Sequence, residues 1–166
     1  MDAVIRKAEL KDTKEANNLL TLLIRDEKQY DSSINEKCVI SGFYENMISN
    51  DSNILLVAEI DNKIIGYLFG YIVDNGNTYL DRVSKLDALY ITKEYRKNKI
   101  ATKLINEFKS WSLKKGVKYI EVQVLNDNTN AVNLYKKEGF GSFKSTIINK
   151  IQWTYDEYKK IKELKL

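Results

Sequence analysis

The first third of the chain changes from one hydrophobic period to another. Residues 4–7, Val-Ile-Arg-Lys, predict a short first strand, and apolar side chains then recur at helical spacing over 16–24. Asp12 or Thr13 is placed to cap that helix. After a polar stretch, the pattern predicts a second helix over about residues 35–48. The segment is therefore expected to contain one strand followed by two helices.

The middle of the chain is rich in β-branched and apolar residues. Residues 53–60 and 64–73 flank an Asp-Asn-Lys turn, which indicates a hairpin. A second turn, rich in asparagine, precedes a strand around 83–91. A helix is then expected over 100–114, because its apolar residues form one stripe and Gly116 can end it.

The last part of the chain returns to alternation between strands and helices. Residues 119–125 predict a strand, and Asn126-Asp-Asn-Thr opens a helix that Gly139 ends. A further strand is predicted over 140–151, and an amphipathic helix over 153–166.

This order of elements predicts an α/β fold, called α+β in some schemes. Hairpins first and β-α-β alternation later indicate a mixed, twisted sheet of six to seven strands with helices on both faces. At 166 residues, without a repeat or a linker, the chain is expected to form a single domain over 1–166.

Composition excludes several classes of site. The chain has no histidine and one cysteine, which excludes His-based triads and Cys-rich metal sites, so no metal is expected. No apolar run approaches the roughly 18 residues of a membrane span, and the N-terminus has no signal-peptide core, so a cytoplasmic protein without a membrane partner is expected. A nucleic-acid-binding module stays as an alternative, although a net charge of +4 without a basic stripe makes nucleic acid an unlikely partner.

One loop concentrates positive charge ahead of a helix. Lys93, Arg96, Lys97 and Lys99 place four cations within seven residues. A helix N-terminus offers unpaired N–H groups and the positive end of the dipole to a phosphate. From charge alone, a solvated surface turn is the alternative.

The same loop carries a family resemblance. The run Leu89-Tyr-Ile-Thr-Lys-Glu-Tyr-Arg, followed by Ile100-Ala, resembles the pyrophosphate-binding segment of the GNAT superfamily of acyl-CoA-dependent N-acyltransferases. Members carry Arg/Gln-x-x-Gly-x-Gly/Ala there. With Arg96 at the arginine position, Lys99 stands where the first glycine belongs, and Lys97 replaces another frequent glycine. Because glycine adopts positive φ without steric cost, the two lysines are a departure from the motif.

A second motif lies about 30 residues further on. Asn128-Thr-Asn-Ala, Leu134-Tyr and Glu138-Gly-Phe are similar to the family's Asn-x-x-Ala helix, which ends in Tyr and Gly-Phe. The two motifs occur in the family's order, and the resemblance covers roughly residues 3–151.

The resemblance implies an N-acetyltransferase that uses acetyl-CoA. A primary amine would attack the thioester directly, without a covalent acyl-enzyme. The strand before the loop would contact the thioester carbonyl and the pantetheine arm through its backbone. The cofactor-binding residues implied in this way are Leu89, Tyr90, Ile91, Arg96, Lys97, Asn98, Lys99, Ile100, Ala101, Thr102, Asn128 and Ala131.

The resemblance also implies catalytic residues. Tyr135 occupies the position of the family's tyrosine near the CoA sulfur, where a phenol can donate to the departing thiolate. Its alternative role is a ring packed in the core. Asp87 stands where similar sequences often have a general base, and strand alternation puts it on the face of Leu89. Pairing with Lys85 or Arg82 is the alternative for Asp87, and Glu121 is the reserve base.

The acceptor amine is left open by the sequence. Acids and aromatics in the first two helices and their link suit a cationic amine, carried by a small molecule or a peptide. They are Asp26, Glu27, Asp31, Glu36, Glu45, Tyr30 and Tyr44. A non-catalytic acyl-CoA-binding or regulatory protein of the same fold is the main alternative. A homodimer is possible.

Overall fold

One five-stranded sheet organises the residues that the structure describes. The computed structural model describes residues 2–76, 78–149, 154–156 and 159. The elements are β1 (Val4–Lys7), α1 (Thr13–Glu27), α2 (Phe43–Met47), β2 (Asn53–Ile60), β3 (Lys63–Ile72), β4 (Val83–Ile91), α3 (Ile100–Lys114), β5 (Tyr119–Val122) and α4 (Thr129–Lys137). The strands lie in chain order, and every neighbouring pair is antiparallel except β4 and β5, which are parallel.

The predicted fold class is confirmed, because helices cover both faces of a mixed sheet. Alternate residues of β2 divide between two cores. Leu56 and its like-facing neighbours pack with α3, whereas Leu55 and Val57 pack with α1 and α2. The sheet has five strands among the described residues, not the six to seven that the pattern predicted.

The α3 side of the sheet needs glycine on β3. The Phe108 ring of α3 lies directly over Gly70, at the place where a Cβ would be. A Cβ at Gly70 would also approach the carbonyl oxygen of Lys85 to 2.8 Å. Phe108 is fully buried, so the bare backbone of Gly70 is what lets the helix lie close to the sheet.

The second helix is shorter than the predicted span of 35–48. The Asn35 side chain accepts from the Lys37 N–H at 3.0 Å, which offers the backbone a turn instead of a helix. Gly42 then adopts a left-handed φ of 70°, and α2 begins only at Phe43. The buried amide of Asn17 fixes that start, because its oxygen accepts from the Tyr44 N–H at 3.2 Å.

The start of α1 also differs from a simple cap. Asp12 lies at the N-cap, but its side chain makes no capping bond. It accepts instead from Arg6 at 2.6 Å and from the Glu9 N–H at 2.8 Å. Arg6 also donates to Glu59 on β2, so one guanidinium joins β1, β2 and the start of α1. The hydrogen bond from Arg6 lowers the pKa of Asp12 despite its burial.

Two predictions for the C-terminal part of the chain are wrong. The described residues 140–149 contain no strand, and β5 ends at residue 122 instead of 125. After Phe140, which packs against the core, the β-prone Phe143 and Ile147 are 82% and 95% exposed. A strand forms only against a partner edge. The predicted helix over 153–166 lies outside the described residues except at 154–156 and 159.

None of the described helices is long and apolar enough to cross a membrane.

Substituting Gly70 by alanine should destabilise the protein. The added methyl group would overlap the Phe108 ring and the Lys85 carbonyl, so we expect a loss of about 1–3 kcal/mol, as for other overpacked cores. Urea denaturation measures the free energy of unfolding. Gly141→Ala is the matched control, since nothing lies within 4 Å of the added Cβ. Equal stabilities of the two variants would show that α3 moves away without cost.

Candidate functional site

The two parallel strands of the sheet separate part-way along. β5 pairs with β4 only from Val83 to Leu86, opposite Tyr119–Val122. β4 continues to Ile91 while paired with β3 alone. The last part of β4 therefore has one edge that β5 does not cover, and Leu89, Tyr90 and Ile91, the predicted contacts of the pantetheine arm, lie in it.

A β-bulge occurs where the strands separate. Gly70 is the partner of Leu86 and Phe69 is the partner of Ala88, which leaves Asp87 as the extra residue. A bulge breaks the alternation of side chains between the two faces of a strand. Leu89 still packs towards α3, and Ala88 towards α1.

Asp87 therefore does not share the face of Leu89, although strand alternation had predicted that it would. Burial raises the pKa of the phenols of Tyr44 and Tyr67, and the negative charge of Asp87 raises both further. Both tyrosines belong to the core on the α1 side, so the carboxylate lies near that side. Asp87 is 36% exposed and its carboxylate lies 3.4 Å from Lys85 Nζ, which is the pairing considered as its alternative role.

Tyr135 lies on the opposite wall of this opening. Its ring makes an edge contact with Phe140 at a centroid distance of 5.6 Å, and it packs against the α3-side core. Burial raises the pKa of Tyr135, and the charge of Glu27 raises it further. Because Glu27 belongs to α1 on the other face, the two groups come near each other only where β4 and β5 have separated.

Glu27, which the sequence analysis named only among several acids that suit a cationic amine, is a candidate site residue that lies outside both motifs. Burial raises its pKa, and the nearby charge of Asp31 adds to that effect. Within the described part of the chain, no cation or hydrogen-bond donor contacts its carboxylate. An acid in the last turn of a helix also opposes the helix dipole. That unfavourable position is the signal in the sequence that marks Glu27.

The basic loop keeps a glycine-like backbone without glycine. Lys97 and Lys99 have φ values of 65° and 59°, in the left-handed region. This conformation costs an L-residue roughly 1–2 kcal/mol. The lysines at the two glycine positions of the motif thus adopt the loop shape and add charge to it.

The start of α3 has free backbone donors. Its first intrahelical bond runs from the Lys103 N–H to the Lys99 carbonyl at 3.0 Å, so the N–H groups of Ile100, Ala101 and Thr102 lack helical partners. The Thr102 hydroxyl donates at 2.7 Å to Glu138, the residue after α4, and is already engaged. The backbone N–H groups here are better arranged than the side chains to bind an anion.

The other predicted cofactor-binding side chains have protein partners. Arg96 Nε donates to the Ile91 carbonyl at 2.9 Å, and Asn98 donates to the Tyr95 carbonyl. Asn128 caps α4 by accepting from the Ala131 N–H at 3.2 Å, so the Asn-x-x-Ala motif is at least a helix cap.

The reserve base Glu121 is also paired. On β5, its carboxylate accepts from Lys144 Nζ at 2.9 Å. The roles predicted for Tyr135, Asp87, Glu121 and the cofactor-binding residues stay predictions, which the geometry makes more specific.

A family model and a known protein both match most of this chain. Residues 18–140 match the model of the acetyltransferase (GNAT) family. Thialysine Nε-acetyltransferase from Mus musculus is 30% identical over 142 residues, a span that covers 80% of each chain.

Solved structures resemble the fold. A mutant protein from Bacillus halodurans has a TM-score of 0.80 at 18% identity, covering 90% of this chain and 99% of the other. An aminoglycoside N-acetyltransferase in complex with CoA has a TM-score of 0.67 at 18% identity, covering 90% of this chain and 100% of the other. At these identities the likeness concerns the fold alone.

Replacing Lys99 by glycine should stabilise the protein. Glycine removes the steric cost of the left-handed backbone but gains freedom in the unfolded chain, so we expect a net gain of up to about 1 kcal/mol. Denaturant unfolding without ligand measures it. Lys99→Ala is the control, because it removes the charge and keeps the Cβ. If alanine stabilises as much as glycine, charge repulsion within the loop is the source of the cost, and not φ.

Proposed function

Because the chain belongs to the acetyltransferase (GNAT) family, we propose that it transfers an acetyl group from acetyl-CoA to a primary amine by direct attack. Family membership makes it an acyltransferase. The donor, the acceptor and the roles of the residues are the content of the proposal. The observation that carries it is the opening between β4 and β5, near which the charge of Glu27 raises the pKa of Tyr135 and a helix start has free N–H groups.

The pyrophosphate of CoA would bind at the loop before α3. The free N–H groups of Ile100, Ala101 and Thr102 and the helix dipole favour an anion, and Lys97 and Lys99 add charge. The pantetheine arm would then run along the uncovered edge of β4 beside Leu89. An aminoglycoside N-acetyltransferase of the same fold has been solved in complex with CoA, which is consistent with CoA as the ligand.

The acceptor would be a cationic amine in its resting form. Glu27 and Asp87 are both acidic groups on the α1 side, near the buried rings of Tyr44 and Tyr67, and negative charge there favours a cation. The mouse relative is named for an Nε-amine, which is consistent with this class. Tyr67 and Tyr44 are fully buried, and their hydroxyls lie 3.3 Å apart, so they form a rigid floor.

The reaction needs a neutral amine and a way for the thiolate to leave. The neutral amine nitrogen attacks the thioester carbon, the tetrahedral intermediate loses its C–S bond, and the nitrogen releases a second proton that the thiolate takes up, directly or from water. Because the resting amine is cationic, it must first give up one proton to become neutral. Glu27 is the better-placed acceptor of that proton, directly or through water, because no cation pairs with it among the described residues. Asp87 is the second candidate, because its carboxylate already forms an ion pair with Lys85.

Tyr135 would assist the departing sulfur. Burial raises the pKa of its phenol, so the group stays protonated at neutral pH. A thiol has a pKa of about 8.5, so full proton transfer from this phenol to the thiolate would be uphill. Tyr135 therefore stabilises the thiolate chiefly by donating a hydrogen bond.

Tyr135→Phe tests the proposal directly. We expect turnover of acetyl-CoA with a panel of primary amines to fall by roughly 10²- to 10³-fold, the range for losing one hydrogen-bond donor to a developing anion, while the Kd of CoA stays nearly unchanged. Free thiol release measures the rate, and calorimetry the affinity. The control is Tyr79→Phe, a change at an exposed ring. Wild-type turnover in Tyr135→Phe would make Tyr135 a packing residue. Tight CoA binding by the wild type with no thiol release on any amine would select the non-catalytic alternative.

Glu27→Gln should separate stability from activity. The pKa of Glu27 is raised in the folded protein, so the folded state holds its proton more tightly and loses stability as pH rises from the ordinary glutamate pKa through the raised one. The variant should therefore melt at a higher temperature than the wild type at pH 7 and equally at pH 3.5, yet acetylate amines more slowly at pH 7.

The exposed Glu107 provides the control, because Glu107→Gln makes the same change of charge on α3, away from the opening. A Glu27→Gln variant that keeps full activity would transfer the proton-accepting role to Asp87 or to water.

A further inference from the structure

We propose that Asp26 is a positioning residue, which ties the end of α1 to the phosphate-binding loop and holds that loop in its strained backbone conformation. The inference rests on the proposed function, since the loop's task there is to bind CoA. Asp26 would touch neither the thioester nor the amine. It would act through Arg96 and Lys93.

Three residues from the end of β4 and the turn after it meet on this one carboxylate. Arg96 Nη2 donates to it at 3.0 Å, Lys93 Nζ lies 3.2 Å away, and the Tyr90 hydroxyl donates at 3.3 Å. The side chain of Asp26 is 26% exposed, so the ion pairs are partly shielded from water. Burial alone would raise the pKa of Asp26, but the bonds and charges of Arg96 and Lys93 hold it below its ordinary value.

Arg96 is fixed at both ends of its guanidinium. Nε donates to the Ile91 carbonyl at the end of β4, and Nη2 donates to Asp26 on α1. The guanidinium carbon also lies 5.1 Å from the centre of the Tyr90 ring. A planar group held by two directed bonds and an aromatic face has little freedom. The backbone of Arg96 is fixed with it.

The residue after Arg96 begins the strained part of the loop. Lys97 and Lys99 both have left-handed φ, and such residues persist only where their surroundings determine the conformation. Within the described chain, two side chains hold this stretch: Asn98, through an exposed 3.3 Å bond to the Tyr95 carbonyl, and Arg96. Arg96 makes the shorter bonds, at 2.9 Å to Ile91 and 3.0 Å to Asp26, so Asp26 accepts one of the two hydrogen bonds that fix its guanidinium.

The position of Asp26 has a second consequence. Its neighbour Glu27 is the carboxylate proposed to face the amine, so the same turn of α1 carries the tie to the loop and the group on the acceptor side. A change that loosens α1 from the loop should weaken CoA binding and also raise the KM of the amine. If Asp26 acted only through its charge, removing the acid would strengthen CoA binding, because two cations would be freed for the pyrophosphate.

Calorimetric titration of CoA at two salt concentrations distinguishes these roles. We compare the wild type, Asp26→Asn and a matched control, Glu15→Gln, which removes an exposed acid from the same helix. We expect Asp26→Asn to weaken CoA binding roughly tenfold, or about 1.4 kcal/mol, at both salt concentrations, and Glu15→Gln to leave it unchanged. Asp26→Glu, which keeps the charge and can still reach Arg96, should recover part of the loss.

A second comparison shows whether Asp26 acts through the loop backbone. In a chain that carries both Lys97→Gly and Lys99→Gly, the left-handed conformation has no steric cost, so adding Asp26→Asn should reduce affinity much less than tenfold. The difference is a coupling that general loss of folding would not produce. If Asp26→Asn alone folds poorly, Asp26→Glu takes its place in both backgrounds.

Three outcomes have separate meanings. Tighter CoA binding by Asp26→Asn at low salt would overturn the inference and make Asp26 a neutralising group. Unchanged binding would overturn it as well, because the loop would then hold itself. A wild-type protein that binds no CoA would overturn the proposed function, and this inference with it.

Discussion

The separation of β4 from β5 after Leu86 is the constraint on which the candidate site depends. In a continuous sheet, the backbone layer keeps side chains on opposite faces apart. Here the parallel pairing ends after four residues, and the bulge at Asp87 occurs just beyond it. Glu27 from α1 and Tyr135 from α4 can then influence each other through the opening. The arrangement therefore depends on where the strands stop pairing, and less on the side chains of β4.

In the loop at the end of β4, a conformational cost opposes a favourable contribution from positive charge. Lysine at positions 97 and 99 costs conformational energy, since both residues are left-handed, but it adds positive charge where a helix start already favours an anion. Glycine would remove the cost and the charge together. The loop keeps the shape because neighbouring residues hold it, above all Arg96 between Ile91 and Asp26.

The sequence predicted the elements whose patterns are local. The bounds of β2, β4 and α3 agree with the structure, because strand alternation and one apolar helix stripe determine them. It failed where other forces decide. The side-chain bond of Asn35 competes with a helix, the segment 140–149 has β-prone residues without a partner edge, and a bulge changes the face of Asp87. The motifs identified the loop and Tyr135. Asp26 and Glu27 were expected only as two of several acids that suit a cationic amine, because the interactions that distinguish them come from across the fold.

Asp26 and Glu27 show how the fold gives neighbouring acids different properties. Both lie in the last turn of α1, where the helix dipole disfavours negative charge. Arg96 and Lys93 lower the pKa of Asp26 in spite of its burial, whereas Glu27 has no such partner among the described residues and its pKa is raised. The first carboxylate is therefore held as a charged anchor, and the second keeps the capacity to bind a cation or to take up a proton. In the proposed function, a consecutive pair of acids thus divides the work of the site: Asp26 would hold the cosubstrate loop, and Glu27 would face the amine.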